Sequence, residues 1–198
     1  MNNVGLGDQF DSVLEAARVG AEWAWEALYR NMSPAVLGYL RARRAPEPED
    51  LVGEVFLHAV RNLGSFSGDE RSFRAWLLSI THHRLVDELR RRSRRPVHPA
   101  EHDVLVEAGH RGDAEEEAVN RVEVRRALDA ISRLSSDQQD VLLLRLVGDL
   151  SLEEVAAILG KGLSAVKALQ RRGLAALARD ISPERVSRRA LTTITKTR

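Results

Sequence analysis

Two groups of side chains in this 198-residue chain have the types and spacing for chemistry on a polyanion. The first is Arg84, Arg90, Arg91, Arg92, Arg94 and Arg95, among which the only acids are Asp87 and Glu88. Phosphates bind such a cluster because guanidinium groups displace condensed counterions. The second is Lys161, Lys167, Arg171, Arg172 and Arg179, a stretch with no acid at all, and Gln170 lies within it. Arginine and glutamine carry paired donors and acceptors that match the edges of guanine and adenine. Both groups do recognition chemistry, which breaks no covalent bond. No nucleophile–base set and no metal-ligand cluster stands out, so neither an enzyme nor a cofactor is expected. His82 and His83 are poor joint ligands, because adjacent residues diverge around a helix.

Each group needs an element to position it. The arginine cluster ends a segment that starts Phe73-Arg74-Ala75-Trp76-Leu77-Leu78 and continues through Ile80 and Leu85, with apolar residues at helical spacing. One long helix ending before Pro96 is predicted, packed at its start and cationic at its end. The second group follows Ser151-Leu152-Glu153-Glu154, a capping box in which Glu154 reaches back to the Ser151 amide. A short helix to Leu159 is predicted, with Leu152, Val155, Ala156 and Leu159 inward. Gly160-Lys161-Gly162 then permits a sharp turn, since glycine tolerates positive φ. A second helix from about Leu163 to Ala178 turns Leu163, Val166, Leu169, Gly173 and Leu177 inward and leaves Lys167, Gln170, Arg171 and Arg172 outward. In helix-turn-helix proteins the start of the second helix enters the major groove. An ordinary two-helix corner with a solvated basic face is the alternative, but such a face normally mixes signs.

Elsewhere helices are predicted over about Asp8–Arg18, from Ala21 through Trp23, Leu28 and Met32, and from Pro34 to Arg44. Another starts at Asp50, placed to cap it, and runs to Leu63. Gly64–Asp69 reads as a loop. Ser135 and Gln138 offer a further cap. From Pro96 to about Ala118 apolar periodicity fades, and acids, prolines and glycines dominate. The fold class expected is all-α: two small helical domains joined by a flexible acidic linker. The net charge of +1 conceals this segregation. A hydrophobic content of 43% can fill a core, and 5% aromatics with abundant Leu, Ala, Glu and Arg favours helix. Without cysteine there is no disulfide framework. No apolar run approaches the ~20 residues of a membrane span, so no membrane insertion is expected. A cytoplasmic location fits these features.

These motifs, in this order, resemble the sigma-70 family of bacterial RNA polymerase initiation factors, in its small extracytoplasmic-function (ECF) group. Asp50-Leu51-Val52-Gly53-Glu54-Val55-Phe56-Leu57 is similar to the family's core-binding helix, with Gly53 where glutamine is usual. Phe73-Arg74-Ala75-Trp76-Leu77 with Ile80, Asp87 and Arg90 is similar to its promoter-melting helix. Leu134 to Gln139, Val166-Lys167 and Arg171-Arg172 resemble its second domain. The resemblance implies region 2 over 8–95, a linker over 96–120, a region 4 helix-turn-helix over 121–180 and a tail over 181–198.

It further implies contact with core RNA polymerase through Asp50, Glu54 and Phe56, although packing is the favoured role of Leu51, Val55 and Phe56. Promoter DNA at the −10 element would meet Phe66, His83, Arg84, Arg90, Arg91, Arg92 and Arg94. Phe66 and Trp76 could stack on bases, and Trp76 at helical spacing with Ile80 favours packing. The family often has asparagine at the position of His83. The −35 element would meet Ser164, Lys167, Gln170, Arg171 and Arg172, with Ser164-Ala165-Val166-Lys167 standing for the family's G-T-V-K/R. An anti-sigma factor is an expected partner. The rival readings are an autonomous helix-turn-helix regulator and a sigma-like antagonist that docks on polymerase without opening DNA.

Overall fold

The computed structural model describes residues 5–94 and 126–180. The linker and tail inferred over 96–120 and 181–198 lie outside the described residues. Among the described residues every regular element is helical. A 3₁₀ turn at Gly7–Gln9 leads into α1 (Phe10–Arg18), followed by α2 (Glu22–Ala42) and α3 (Pro48–Asn62). A second 3₁₀ turn, Leu63–Ser65, falls in the segment read as a loop, and α4 (Glu70–Arg94) follows it. The second group is α5 (residues 126–132), α6 (Ser136–Leu146), α7 (Leu152–Leu159) and α8 (Leu163–Asp180).

The stretch expected as two helices meeting near Pro34 is one. Proline removes an N–H and crowds the carbonyl one turn back, at a cost of about 3 kcal/mol. The opposing term is a ladder along one face: Leu28, Met32, Val36 and Leu40 are all at most 1% exposed. A break at Pro34 would throw half of that ladder out of register, and each such side chain is worth about 1.5–3 kcal/mol when buried. Packing wins. Asp50 also differs from expectation. Helix α3 begins at Pro48, after Glu47 in the left-handed region at φ 46°, so Asp50 lies in the first turn and is not the cap. Proline's preset φ suits a first helical position, and an acid one turn in still complements the positive end of the helix.

In the first group, α2 lies against α1, α3 and α4, and α3 packs along α4. Phe10, Phe66, Phe73 and Trp76 form an aromatic cluster with ring centres 5.2–5.8 Å apart. Trp23, near the start of α2, is 58% exposed. The second group packs α6, α7 and α8 on one another around Val141, Leu144, Val155 and Val166, each fully buried. Both capping boxes read from sequence are present, Ser135 with Gln138 and Ser151 with Glu154. The two groups touch: α6 lies on α2, and α7 on α4.

Candidate nucleic-acid interface

The cationic end of α4 is built as its sequence suggests. Phe73, Leu77, Leu78 and Leu85 anchor the helix in the core, and from Arg90 to Arg94 every residue is exposed. Arg90, Arg91 and Arg94 line an open hollow with Asp87. Arg91 and Arg92 reach Glu88 at 2.7 and 3.0 Å, Arg90 lies 3.7 Å from Asp87, and Arg92 lies 3.7 Å from Glu47. The pairs with Asp87 and Glu47 are exposed on both sides and worth under about 1 kcal/mol each, so a phosphate can displace those acids; Glu88 is only 13% exposed beneath Arg91 and Arg92. Arg84 lies one turn before the acids with Nη2 3.1 Å from His58 Nδ1. His83 is exposed, and its Nδ1 is 2.8 Å from the Ser79 carbonyl, which its N–H donates to.

Phe66 does not join this surface. It is 8% exposed, with its ring against Phe73 and Trp76, so little of it is open to a base. Its carbonyl accepts a 2.6 Å hydrogen bond from Arg18 Nη2, which fixes the turn before α4. Asp69 caps that helix by accepting from the Ser72 amide at 2.8 Å, and hydrogen bonding from the Ser72 side chain, then from this amide, holds its carboxyl below the usual range.

Helices α7 and α8 form the expected corner. Gly160 ends α7 at φ 60°, a conformation L side chains rarely adopt. Val166 and Leu169 turn inward, and Gly173 lets α8 approach α6: a Cβ there would lie 2.9 Å from Leu142 Cδ1. Ser164, Lys167, Arg171 and Arg172 are exposed, Gln170 is half-buried, and Arg172 Nε also donates to the Ala168 carbonyl at 3.3 Å. Ser164, Lys167 and Arg171 follow one another at i, i+3 and i+7, which sets them on a single face of α8. Lys161 points elsewhere, pairing with Asp137 at 2.9 Å.

On α3, Asp50 and Glu54 are exposed one turn apart, and Leu57 and Val60 extend that face at 57% and 49% exposure. Phe56 faces inward at 7%, its ring 4.7 Å from Tyr29, and so packs as its spacing favoured.

A further polar group escaped the sequence reading. Asp140 of α6, 5% exposed, accepts a 2.8 Å hydrogen bond from the Tyr39 hydroxyl, and Arg43 Nε lies 2.8 Å from the same oxygen. His82 Nδ1 sits 2.9 Å from the Tyr39 hydroxyl and 3.8 Å from Asp140. Because Tyr39 gives its one proton to Asp140, it must accept from His82, which assigns the proton to Nδ1. Burial, then the Asp140 charge, raises the Tyr39 pKa well above its ordinary value; burial lowers that of His82. The available signal was the position of Asp140. It immediately precedes Val141-Leu142-Leu143-Leu144, with Leu143 and Leu144 at i+3 and i+4, so it shares their inner face.

Comparison with known proteins agrees with this arrangement. The family model for sigma-70 region 2 matches residues 28–95, and that for sigma-70 region 4 matches residues 125–177. The ECF RNA polymerase sigma factor BldN of Streptomyces coelicolor is 32% identical over 169 residues, 84% of this chain and 64% of that one. The ECF RNA polymerase sigma factor SigD of Mycobacterium tuberculosis is 31% identical over 183 residues, 88% of this chain and 85% of that one. Among solved structures, CnrH in complex with the cytosolic domain of CnrY has a TM-score of 0.64 at 22% identity, covering 90% of this chain and all of that one. RpoE in complex with the anti-sigma factor NepR, from Bartonella quintana, has a TM-score of 0.61 at 21% identity, covering 81% of this chain and 98% of that one. These two share the fold.

Proposed function

The chain belongs to the sigma-70 family of RNA polymerase sigma factors, in its ECF group, and we propose that it binds core RNA polymerase and directs promoter-specific initiation. The observation that carries this reading is the pair of exposed cationic surfaces, one on α4 and one on α8, within a chain that matches both sigma regions.

Asp50 and Glu54 give α3 an acidic face beside exposed Leu57, and this is the surface proposed for polymerase. Arg84, Arg90, Arg91, Arg92 and Arg94 hold the −10 region by its phosphates, and His83 lies beside them. Opening the duplex costs a few kcal/mol per unstacked base, met by capture of the separated strand in a cationic groove. Phe66 stabilises the turn that leads into this helix and is not itself the stacking residue. Ser164, Lys167, Gln170, Arg171 and Arg172 meet the −35 element. The chain forms no reaction centre of its own in this account; polymerase makes the RNA. Neither surface need bind tightly alone, because polymerase fixes both on one duplex and raises their effective concentration. The cytoplasm, where polymerase works, is the matching location, and no described helix is long and apolar enough to cross a membrane. An anti-sigma protein is the expected antagonist, by likeness to RpoE, solved with one.

The test is binding to purified bacterial core polymerase with Asp50→Lys and Glu54→Lys variants. Co-migration of the wild-type chain with core, reduced at least about tenfold in the double variant, supports the reading; equal binding by both, or by neither, defeats it.

A further inference from the structure

A groove between α2 and α3 is apolar along its floor and acidic at its rim. Trp25 and Tyr29 of α2 and Phe56 and Val60 of α3 line it, with Glu22 and Glu26 at its edge. Glu22, Trp25, Glu26 and Tyr29 follow one another at i, i+3, i+4 and i+7, so they share one face of α2. Tyr29 and Val60 stay 48% and 49% exposed, and Leu57 carries the apolar surface on along α3. Arg30 is paired with Glu26, and Arg41 with Glu49 at 2.6 Å, which leaves the exposed acids Glu22, Asp50 and Glu54 on these helices with Arg61. An apolar surface rimmed by acids suits an apolar segment flanked by cations.

Such a segment follows α8 in the same chain. Residues 181–198 lie beyond the stretch 125–177 that the region 4 family model matches, and outside the described residues. They carry Arg185, Arg188, Arg189, Lys196 and Arg198 against the acid Glu184, with Leu191 and Ile194 standing among the bases. We propose that Leu191 and Ile194 seat in the groove, with Arg188 and Arg189 facing Glu22 and Glu26, and that the seated segment competes with polymerase for the adjoining face of α3. The seating rests on the groove and the segment; the competition rests on the sigma reading, because Val60 continues the face of Asp50, Glu54 and Leu57. The chain is long enough. A Cβ on Gly173 of α8 would lie 3.6 Å from Gln138 Cβ, and the neighbouring Gln139 bonds Arg43 just past the end of α2. From Arg43 back to Tyr29 α2 rises about 21 Å. Residues 181–190 span up to about 33 Å at full extension, which brings Leu191 to the groove. Tethering supplies an effective concentration on the order of 1 mM, so a contact with a Kd of about 0.2 mM keeps the groove about four-fifths filled. Polymerase then meets a competent face in about one molecule in five, and its apparent affinity falls by that fraction.

The chain has no cysteine, so Thr197→Cys carries a single nitroxide, and paramagnetic broadening is read by NMR in the full-length protein. The expected result is broadening concentrated on residues 22–29 and 56–60. Glu22→Lys with Glu26→Lys, both exposed positions, should disperse it, and adding Arg188→Glu with Arg189→Glu should restore it. Leu191→Asp with Ile194→Asp should abolish the broadening and reduce the polymerase concentration for half-maximal binding by about fivefold. Broadening spread evenly over the surface, or gathered elsewhere, overturns the proposal. So does unchanged polymerase affinity in the variant with both apolar residues replaced. Broadening that passes between molecules in a mixed sample and fades on dilution assigns the groove to a second copy, and overturns the contact within one chain. A wild-type chain that does not bind core at all defeats the sigma reading and with it the competition, whereas the seating stands or falls on the NMR result.

Discussion

Tyr39 and Asp140, 101 positions apart in the chain, are joined by a 2.8 Å hydrogen bond from hydroxyl to carboxylate in a buried seam. The same hydroxyl accepts from His82, so one proton relay ties α2, α4 and α6 together. Tyr39→Phe keeps the ring and its volume but strands the His82 N–H and one lone pair of Asp140. Unfolding in urea should show a loss of about 1–3 kcal/mol, the usual cost of leaving buried polar groups unpaired. In an Asp140→Asn background the same substitution should cost less, since part of the relay is already gone.

The relay makes the stability of the contact between the two helical groups depend on pH. His82 faces Tyr39 and Arg43 from α2, His83 from its own helix, and Asp137 and Asp140 from α6; burial is the largest influence and lowers its pKa. Unfolding returns the imidazole toward its ordinary value of about 6.5. The unfolded chain then binds more protons than the folded one, so the contact strengthens as pH rises. It is at full strength above about pH 6.5 and weakens below that, by at most about 1.4 kcal/mol per pH unit. Glu154 acts in the same direction at lower pH. Burial pushes its pKa up, but hydrogen bonds from Arg71 and Ser151 outweigh this and the net shift is down. Stability in urea should therefore fall between pH 7 and 5, and His82→Gln should flatten the upper part of that fall.

Gly148 meets the Leu144 carbonyl and Leu78 at distances that leave no room for a methyl group: an added Cβ would lie 2.5 Å from the carbonyl oxygen. Gly148→Ala should cost about 1–3 kcal/mol by overpacking, read as a lower midpoint in thermal unfolding. Gly53→Ala, where nothing lies within 4 Å, is the control and should be neutral or slightly stabilising.

Lys167 and Arg171 share the exposed face of α8. If either contacts phosphate only, its alanine variant should weaken DNA binding by the holoenzyme on every sequence and lower the salt slope by about one. If it reads a base, the loss should be about 1–3 kcal/mol and confined to promoters with the preferred base. Equal transcription from all promoters in the double variant would remove both residues from the −35 surface.

The helices and their faces were legible because their signals are local. The capping boxes at Ser135 and Ser151, the turn at Gly160 and the inward positions Val155, Val166 and Leu169 each follow from residues within four of one another. Pro34 misled because a local rule met a longer-range ladder, Leu28 to Leu40, that extends past it on both sides. Asp50 misled because Pro48 already starts the helix. At the candidate site, exposure followed charge, so the arginines of α4 and the basic face of α8 were readable. Phe66 was not, since an aromatic in a loop is equally consistent with stacking on a base or closing a core. The Tyr39–Asp140 seam was the least legible, because it depends on how two helical groups meet and no local pattern encodes that.

The central claim is tested most directly by mapping transcription starts on genomic fragments with purified core polymerase, with and without this chain. The account expects defined starts that require the chain and share two upstream motifs at one fixed, non-palindromic spacing. It also expects those starts to vanish when a few base pairs are inserted between the motifs. No chain-dependent starts, or tight binding of the chain alone to a single palindrome, would contradict it.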